Sequence, residues 1–180
     1  MSNMQYIWTT PTSNSQLRKY AKRIRKMFNC DEELYFPVLK ILDYLMDEGA
    51  IIFQILDDND PYFLENELAK FDFYENCIYA KESVYLEAIQ DIGRSRFTLT
   101  HELAHYILLR LLNFESYTMD SAPLAFQDPE WQANTLAREL LIPYDLSKNL
   151  SILEIIDECK VSEECALVNY DRLKNALGKG

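Results

Sequence analysis

Apolar and polar residues follow the period of an α-helix through the first part of the chain. Between Ser15 and Asn29, apolar residues recur every three or four positions, which predicts a helix with one buried face. A second helix is predicted at 37–48, because Pro37 suits the first helical turn and Gly49 suits the position after the last one. Residues 1–14 are polar without a clear period, and we expect them to form a loose arm.

The pattern then changes to short runs of β-branched and aromatic residues. Residues 50–56 and 76–81 are predicted to be strands, and the Asp-rich cluster at 57–61 is predicted to be a turn. Residues 62–75 are aromatic and acidic by turns and do not clearly predict a helix or a strand. A short helix is predicted at 82–91.

Longer helical patterns return in the second half of the chain. The segment 94–110 is apolar on nearly all sides, as in a buried helix, whereas 113–127 has no strong period. Further helices are predicted at 128–143, 151–159 and 163–177. This mixture predicts an α+β fold that is mostly helical, with a small sheet of about three strands beside the 94–110 helix.

Length and composition are those of one domain with a substantial core, since the chain has 180 residues of which 48% are hydrophobic. We expect this single domain to cover residues 15–180, with its functional core at 94–143 and a C-terminal helical pair at 150–177. Only 4 Gly and 6 Pro leave no room for a long flexible linker.

The charge of the chain limits its partners. A net charge of −11 argues against broad electrostatic binding to nucleic acid or to an anionic membrane. No apolar run approaches the roughly 20 residues that cross a bilayer. The four cysteines show no Cys-x-x-Cys spacing and no signal peptide is apparent, which together predict free thiols in a cytoplasmic protein.

The helix predicted at 94–110 contains the pattern His-Glu-x-x-His. His101 and His105 are the only two histidines of the chain, and residues four apart share one face of a helix. Two neutral imidazoles side by side suit a tetrahedral zinc ion. From the next position, Glu102 can act as a general base on a water molecule without binding the metal. The alternative, two core histidines beside a helical Glu, would bury unpaired polar groups at a cost of roughly several kcal/mol.

A catalytic zinc site takes three protein ligands and leaves one position open to water. No histidine remains, so the third ligand must be a Cys, an Asp or a Glu. The helix predicted at 128–143 offers a candidate in its first turn, Glu130. Asp128 suits the N-cap of this helix and Pro129 its first residue, while Pro143 ends it.

Two sequence blocks resemble the ImmA/IrrE family of zinc metallopeptidases. The first, at 94–108, has Arg-x-Arg-Phe-Thr before the His-Glu-x-x-His pattern and Tyr-Ile-Leu after it. The second, at 130–143, reads Glu-Trp-Gln-Ala-Asn-x-x-Ala-x-x-Leu-Leu-x-Pro. The family often has Gly at the position of Ala104 and Phe at that of Leu136, and neither difference touches an expected ligand.

The resemblance implies roles for five residues. His101, His105 and Glu130 would bind zinc. Glu102 would activate the attacking water, and Asn134 would support the site. The oxyanion cannot be stabilised by a histidine, because both are used as ligands, so a Tyr, an Arg or the zinc alone must do it. Tyr106, Tyr144 and Arg138 are near in sequence, and none of them is preferred.

The leading hypothesis is therefore a zinc-dependent endopeptidase. The resemblance implies a narrow substrate, a helix-turn-helix transcriptional repressor of a phage, a mobile element or a stress operon. An alternative is a non-cleaving, zinc-stabilised regulatory protein that partners a repressor or acts in a toxin–antitoxin pair. The presence of Glu102 favours the peptidase, because a purely structural site needs no base and prefers four protein ligands.

One further feature is a cluster of basic residues on the first predicted helix, where six of the 18 basic residues lie within positions 18–26. Such a charge run is usually a solvated helix face. The alternative is a contact surface for an acidic partner or for DNA. Direct DNA binding is not expected of a chain with this net charge.

Overall fold

The computed structural model describes the backbone of residues 6–119 and 121–177, and the side chains of these ranges up to residue 170. The helices within these ranges are α1 (Asn14–Met27), α2 (Val38–Asp47), α3 (Glu82–Ile89), α4 (Gly93–Tyr106), α5 (Pro129–Leu141), α6 (Tyr144–Ser147), α7 (Ile152–Cys159) and α8 (Glu163–Leu177). The strands are β1 (Tyr6–Thr9), β2 (Ile52–Leu56), β3 (Ala69–Asp72), β4 (Cys77–Lys81) and β5 (Ser116–Met119). No helix in the described part of the chain is long and apolar enough to cross a membrane.

Three strands form the main sheet, in the order β2-β4-β3. The central strand β4 runs parallel to β2 and antiparallel to β3. This leaves β3 as an edge strand, and β3 packs against α4. The prediction of a mostly helical α+β fold with a small sheet beside the 94–110 helix is therefore confirmed.

The N-terminal segment belongs to a second, two-stranded sheet. β1 pairs with β5 in antiparallel fashion, with Tyr6 opposite Met119 and Thr9 opposite Ser116. Residues 6–9 therefore form a strand, whereas a loose arm was expected over 1–14. The difference arises because β5 satisfies the backbone groups of β1. Residues 1–5 lie outside the described part, and the single domain over 15–180 stays a prediction.

Helix α4 lies at the centre of the fold and contacts α2, α3, α5 and β3. Its inward residues Leu99, Leu103 and Ala104 are fully buried. The facing residues of α5 include Ala133 and Ala137, also fully buried, whose short side chains let the two helices approach closely. The seam between α4 and α5 therefore has a fixed geometry, and the polar residues described below lie along it.

The basic cluster of α1 is partly structural. Arg18 makes a two-pronged ion pair with the buried carboxylate of Glu139 on α5, and its Nε lies 3.0 Å from Oε2. Lys22 contacts Asp145 on α6 at 2.7 Å, and the buried Arg25 donates to the backbone carbonyl of residue 140. Three of the six basic side chains therefore hold α1 against α5 and α6. The other three are exposed: Lys19, Arg23 and Lys26.

Gly93, the first residue of α4, touches the connection between α7 and α8. A Cβ at Gly93 would lie 2.3 Å from the backbone of Val161 and Ser162. We expect Gly93→Ala to lower the free energy of unfolding by about 1–3 kcal/mol or more, because either α4 or the connection must move. Urea denaturation measures this change. Arg94→Ala, at the exposed neighbour, should change stability by less than about 0.5 kcal/mol, and equal stabilities of the two variants would contradict the close contact.

Candidate metal centre

Three candidate ligand atoms from two helices meet at the seam between α4 and α5. The Nε2 atoms of His101 and His105 are 3.1 Å apart. The Glu130 carboxylate spans them, with Oε2 at 3.2 Å from His101 Nε2 and Oε1 at 3.2 Å from His105 Nε2. In the described part of the chain, this is the one cluster of three or more His, Cys, Asp or Glu residues that could hold a metal ion.

Local sequence sets the position of each member of this cluster. The two histidines share a face of α4 because they are four residues apart. Glu130 lies in the first turn of α5, where the N-cap Asp128 accepts a hydrogen bond from the Glu130 backbone N–H at 2.9 Å. Pro129 at the first helical position fixes the same turn. The cap and the proline thus fix the start of α5 and place Glu130 in its first turn.

The spacing of the two imidazole nitrogens and the Glu130 carboxylate oxygens fits a tetrahedral metal ion. Ligands bound at about 2.0–2.1 Å in a tetrahedral site lie about 3.3–3.4 Å from one another. The two nitrogens are 3.1 Å apart and each lies 3.2 Å from one of the carboxylate oxygens, which is close to that value. Two unprotonated imidazole nitrogens facing each other at such a distance repel unless a proton or a cation lies between them. The donor set is therefore suited to a divalent cation.

The charges around the cluster also favour a cation. Hydrogen bonds from His101 and His105 hold the pKa of Glu130 well below its usual range. Burial lowers the pKa of His101, but the hydrogen bond to Glu130 and the negative charge of Glu102 outweigh burial and raise that pKa overall. Two carboxylates beside two imidazoles create a negative potential that a proton or a metal ion can neutralise.

Glu102 is 9% exposed and lies beside this cluster rather than in it. Its Oε2 accepts a hydrogen bond from the backbone N–H of Phe71 on β3, at 2.7 Å. Burial raises the pKa of the Glu102 carboxyl above its usual value, although the nearby histidines oppose that shift. The edge strand therefore orients the carboxylate, and burial increases its basicity, as a general base requires.

Two cavities reach the cluster. The larger, of about 550 Å³, is bounded by α4, α5 and parts of β1, β3 and β5. A smaller cavity of about 260 Å³ also reaches His101 and Glu102. The side chains that line the larger cavity include Ile7, Phe71, Phe73, Tyr74, Leu109 and Ser116. The larger cavity is thus a cleft lined by all three candidate metal ligands.

Asn134, which the family resemblance marks as a supporting position, lies one helical turn after Glu130 and lines the smaller cavity. Its amide is close enough to His101 to contribute to the raised pKa of that imidazole. The buried Nδ1 of His101 has no hydrogen bond of good geometry within the described residues. Asn134 is thus a polar side chain placed to support His101, one of the candidate ligands.

Side chains that are close to the two blocks in sequence do not supply an oxyanion donor in the larger cavity. Tyr106 is buried and directs its hydroxyl to the backbone carbonyl of residue 50, and Tyr144 stacks under Arg18. Arg138 lines a third cavity further along the seam. Neither tyrosine is among the residues that line the cavities beside the metal ligands.

Sequence reasoning missed the residues that β3 and its turn bring to the cleft. The backbone N–H of Phe71 and the side chain of Tyr74 both come from the segment 62–75, which has no clear pattern. One local signal was present: Asp72 and Asn76 are turn-forming residues at the two ends of the β3–β4 loop, and Asp72 accepts hydrogen bonds from the backbone of residues 74 and 75.

Comparison with known proteins agrees with this geometry. The family model described as the IrrE N-terminal-like domain, Peptidase_M78, matches residues 61–168. The match includes β3, both candidate histidines and α5. No curated protein matches the chain significantly. Since the family model covers more than half of the 180 residues, this chain belongs to the IrrE N-terminal-like family of metallopeptidase-type domains, which the two sequence blocks resemble.

Proposed function

We propose that this protein is a zinc-dependent endopeptidase with His101, His105 and Glu130 as metal ligands and Glu102 as general base. The observation that carries the proposal is the set of three converging ligand atoms, with a separate, backbone-oriented carboxylate beside them. A structural zinc site would use four protein ligands. Here the described residues offer three, which leaves a coordination position for water or substrate, as in catalytic sites.

The chemistry divides between the metal and the protein. When bound, zinc supplies Lewis acidity towards the scissile carbonyl and lowers the pKa of a coordinated water towards about 7. Glu102 takes a proton from the attacking water and passes it to the leaving amine. The hydrogen bond from Phe71 N–H holds one carboxylate oxygen, so that the other is available for this transfer. Asn134 supports the orientation of His101.

A peptide substrate has a backbone surface to pair with. In the antiparallel β3–β4 ladder, alternate residues of β3 direct their N–H and C=O groups away from β4. Phe71 is one of these residues, since its N–H reaches Glu102, and the alternation makes Ala69 another. Ala69 lines both cavities beside the metal ligands. An extended peptide that pairs with the groups of this edge that Glu102 leaves free would pass the general base.

The identity of the substrate is inferred from the family resemblance. A helix-turn-helix repressor of a phage, a mobile element or a stress operon is the substrate that we propose, and its cleavage would release transcription. Such a substrate would place the enzyme in the cytoplasm. This role requires no membrane surface.

Elemental analysis of the purified protein tests the metal site. We expect about one zinc per chain in the wild type and a large loss in His101→Ala, because that variant removes one of three ligands. Circular dichroism should show that the variant remains folded. A folded wild type that takes up no metal from a zinc-containing buffer would overturn the proposal.

A further inference from the structure

A third cavity, of about 430 Å³, continues the cleft along the α4–α5 seam away from the metal ligands. It shares lining residues with the smaller cavity beside His101 and Glu102, so the two cavities adjoin each other. The shared residues are Leu68, Phe97, Thr98 and Asn134. A substrate that extends from His101 into the smaller cavity would therefore reach the third cavity next.

The positions of these residues follow from helix periodicity. On α4, Arg94 lies seven residues before His101, which places both on the same face of the helix. On α5, Arg138 lies eight residues after Glu130, with Asn134 halfway between them. Each helix thus contributes a candidate metal ligand at one end of the seam and an arginine at the other.

The third cavity has a positive charge balance, unlike the protein as a whole. Arg94 and Arg138 line it, opposed by the exposed carboxylate of Glu164. The Arg94 side chain is exposed and forms no ion pair or hydrogen bond within the part of the chain that the structure describes. In a chain of net charge −11, this cavity offers an acidic group a local cationic partner.

The distance between Arg94 and His101 along α4 sets how far from the cleaved bond the residue bound by Arg94 would lie. Seven residues of α-helix span about 10.5 Å, and an extended peptide advances about 3.3 Å per residue. The distance therefore corresponds to about three residues of an extended substrate. We propose that Arg94 selects substrates with an acidic side chain about three residues from the cleaved bond. The guanidinium would bind that carboxylate through paired N–H donors. This inference rests on the proposed peptidase function.

Cleavage of a mixed peptide library tests the inference. Zinc-loaded wild type, Arg94→Ala and Arg94→Glu would each digest the same proteome-derived peptides, and mass spectrometry would identify the cleaved bonds. Lys40→Glu is a matched control, because it makes the same charge change at an exposed residue of α2 that lines none of these cavities. A cleaved peptide would then be resynthesised with Gln in place of its Glu, or Asn in place of its Asp, for measurement of kcat/KM.

In the wild type and Lys40→Glu, we expect Asp and Glu to be enriched about three residues from the cleaved bond, and the acidic peptide to be cleaved about threefold to tenfold faster than its amide counterpart. Arg94→Ala should abolish that ratio, and Arg94→Glu should invert it. An unchanged preference in both Arg94 variants, or no acidic preference in the wild type, would overturn this inference alone. Absence of all cleavage by the zinc-loaded wild type, both of the library and of intact helix-turn-helix repressor proteins, would overturn the peptidase function and this inference with it.

Discussion

Replacing Glu102 with Gln is expected to slow peptide-bond hydrolysis by about 10²- to 10⁴-fold, the usual contribution of a general base. The Gln side chain has the same shape, and its carbonyl oxygen can still accept the hydrogen bond from Phe71 N–H. It cannot take a proton from water. Steady-state kinetics on a cleaved peptide would measure the loss, and elemental analysis should find the metal content unchanged, because Glu102 lies outside the ligand cluster.

The same substitution separates the two hypotheses for function. A non-cleaving regulatory protein would not need the carboxylate, so Glu102→Gln would retain its full effect on a partner repressor. Glu158→Gln, at an exposed glutamate of α7, is the matched control and should behave as wild type in both assays. Full anti-repressor activity in Glu102→Gln would favour the non-cleaving alternative.

Local sequence signals account for the parts of the site that could be predicted. The spacing of His101 and His105 needs only the period of one helix. Glu130 could be placed in the first turn of α5, because Asp128 and Pro129 mark that start within a few residues. That the two helices meet cannot be read from either segment alone, and there the family resemblance supplied the pairing.

The elements that could not be predicted depend on partners far away in sequence. β1 and β5 are short and pair across more than one hundred residues. β3 gains its structure from β4 on one edge and from Glu102 on the other, so its own residues carry a weak pattern. The ion pair between Arg18 and Glu139 depends likewise on how α1 packs on α5. In each case the missing information was tertiary packing rather than local propensity.

The pairing of Arg18 with Glu139 gives a sharp test of which α5 carboxylate binds the metal. Glu130→Ala should weaken zinc binding by more than about 100-fold, because loss of a hydrogen-bond partner behind a ligand already costs about 10- to 100-fold. Glu139→Ala should leave zinc affinity unchanged, since Glu139 faces α1. Competition with a chromophoric chelator would measure both affinities.

The two variants should rank in the opposite order when the free energy of unfolding is measured instead of zinc affinity. Glu139→Ala removes the buried acceptor of a charged hydrogen bond, and we expect it to lower the free energy of unfolding of the metal-free protein by about 1.5–3 kcal/mol. In the metal-free protein, Glu130→Ala should not be destabilising to that extent, because the Glu130 side chain is largely exposed. Removing Glu130 also leaves α5 with its N-cap Asp128 and its contacts to α4. Equal losses of zinc affinity in the two variants would mean that Glu130 is not the third ligand.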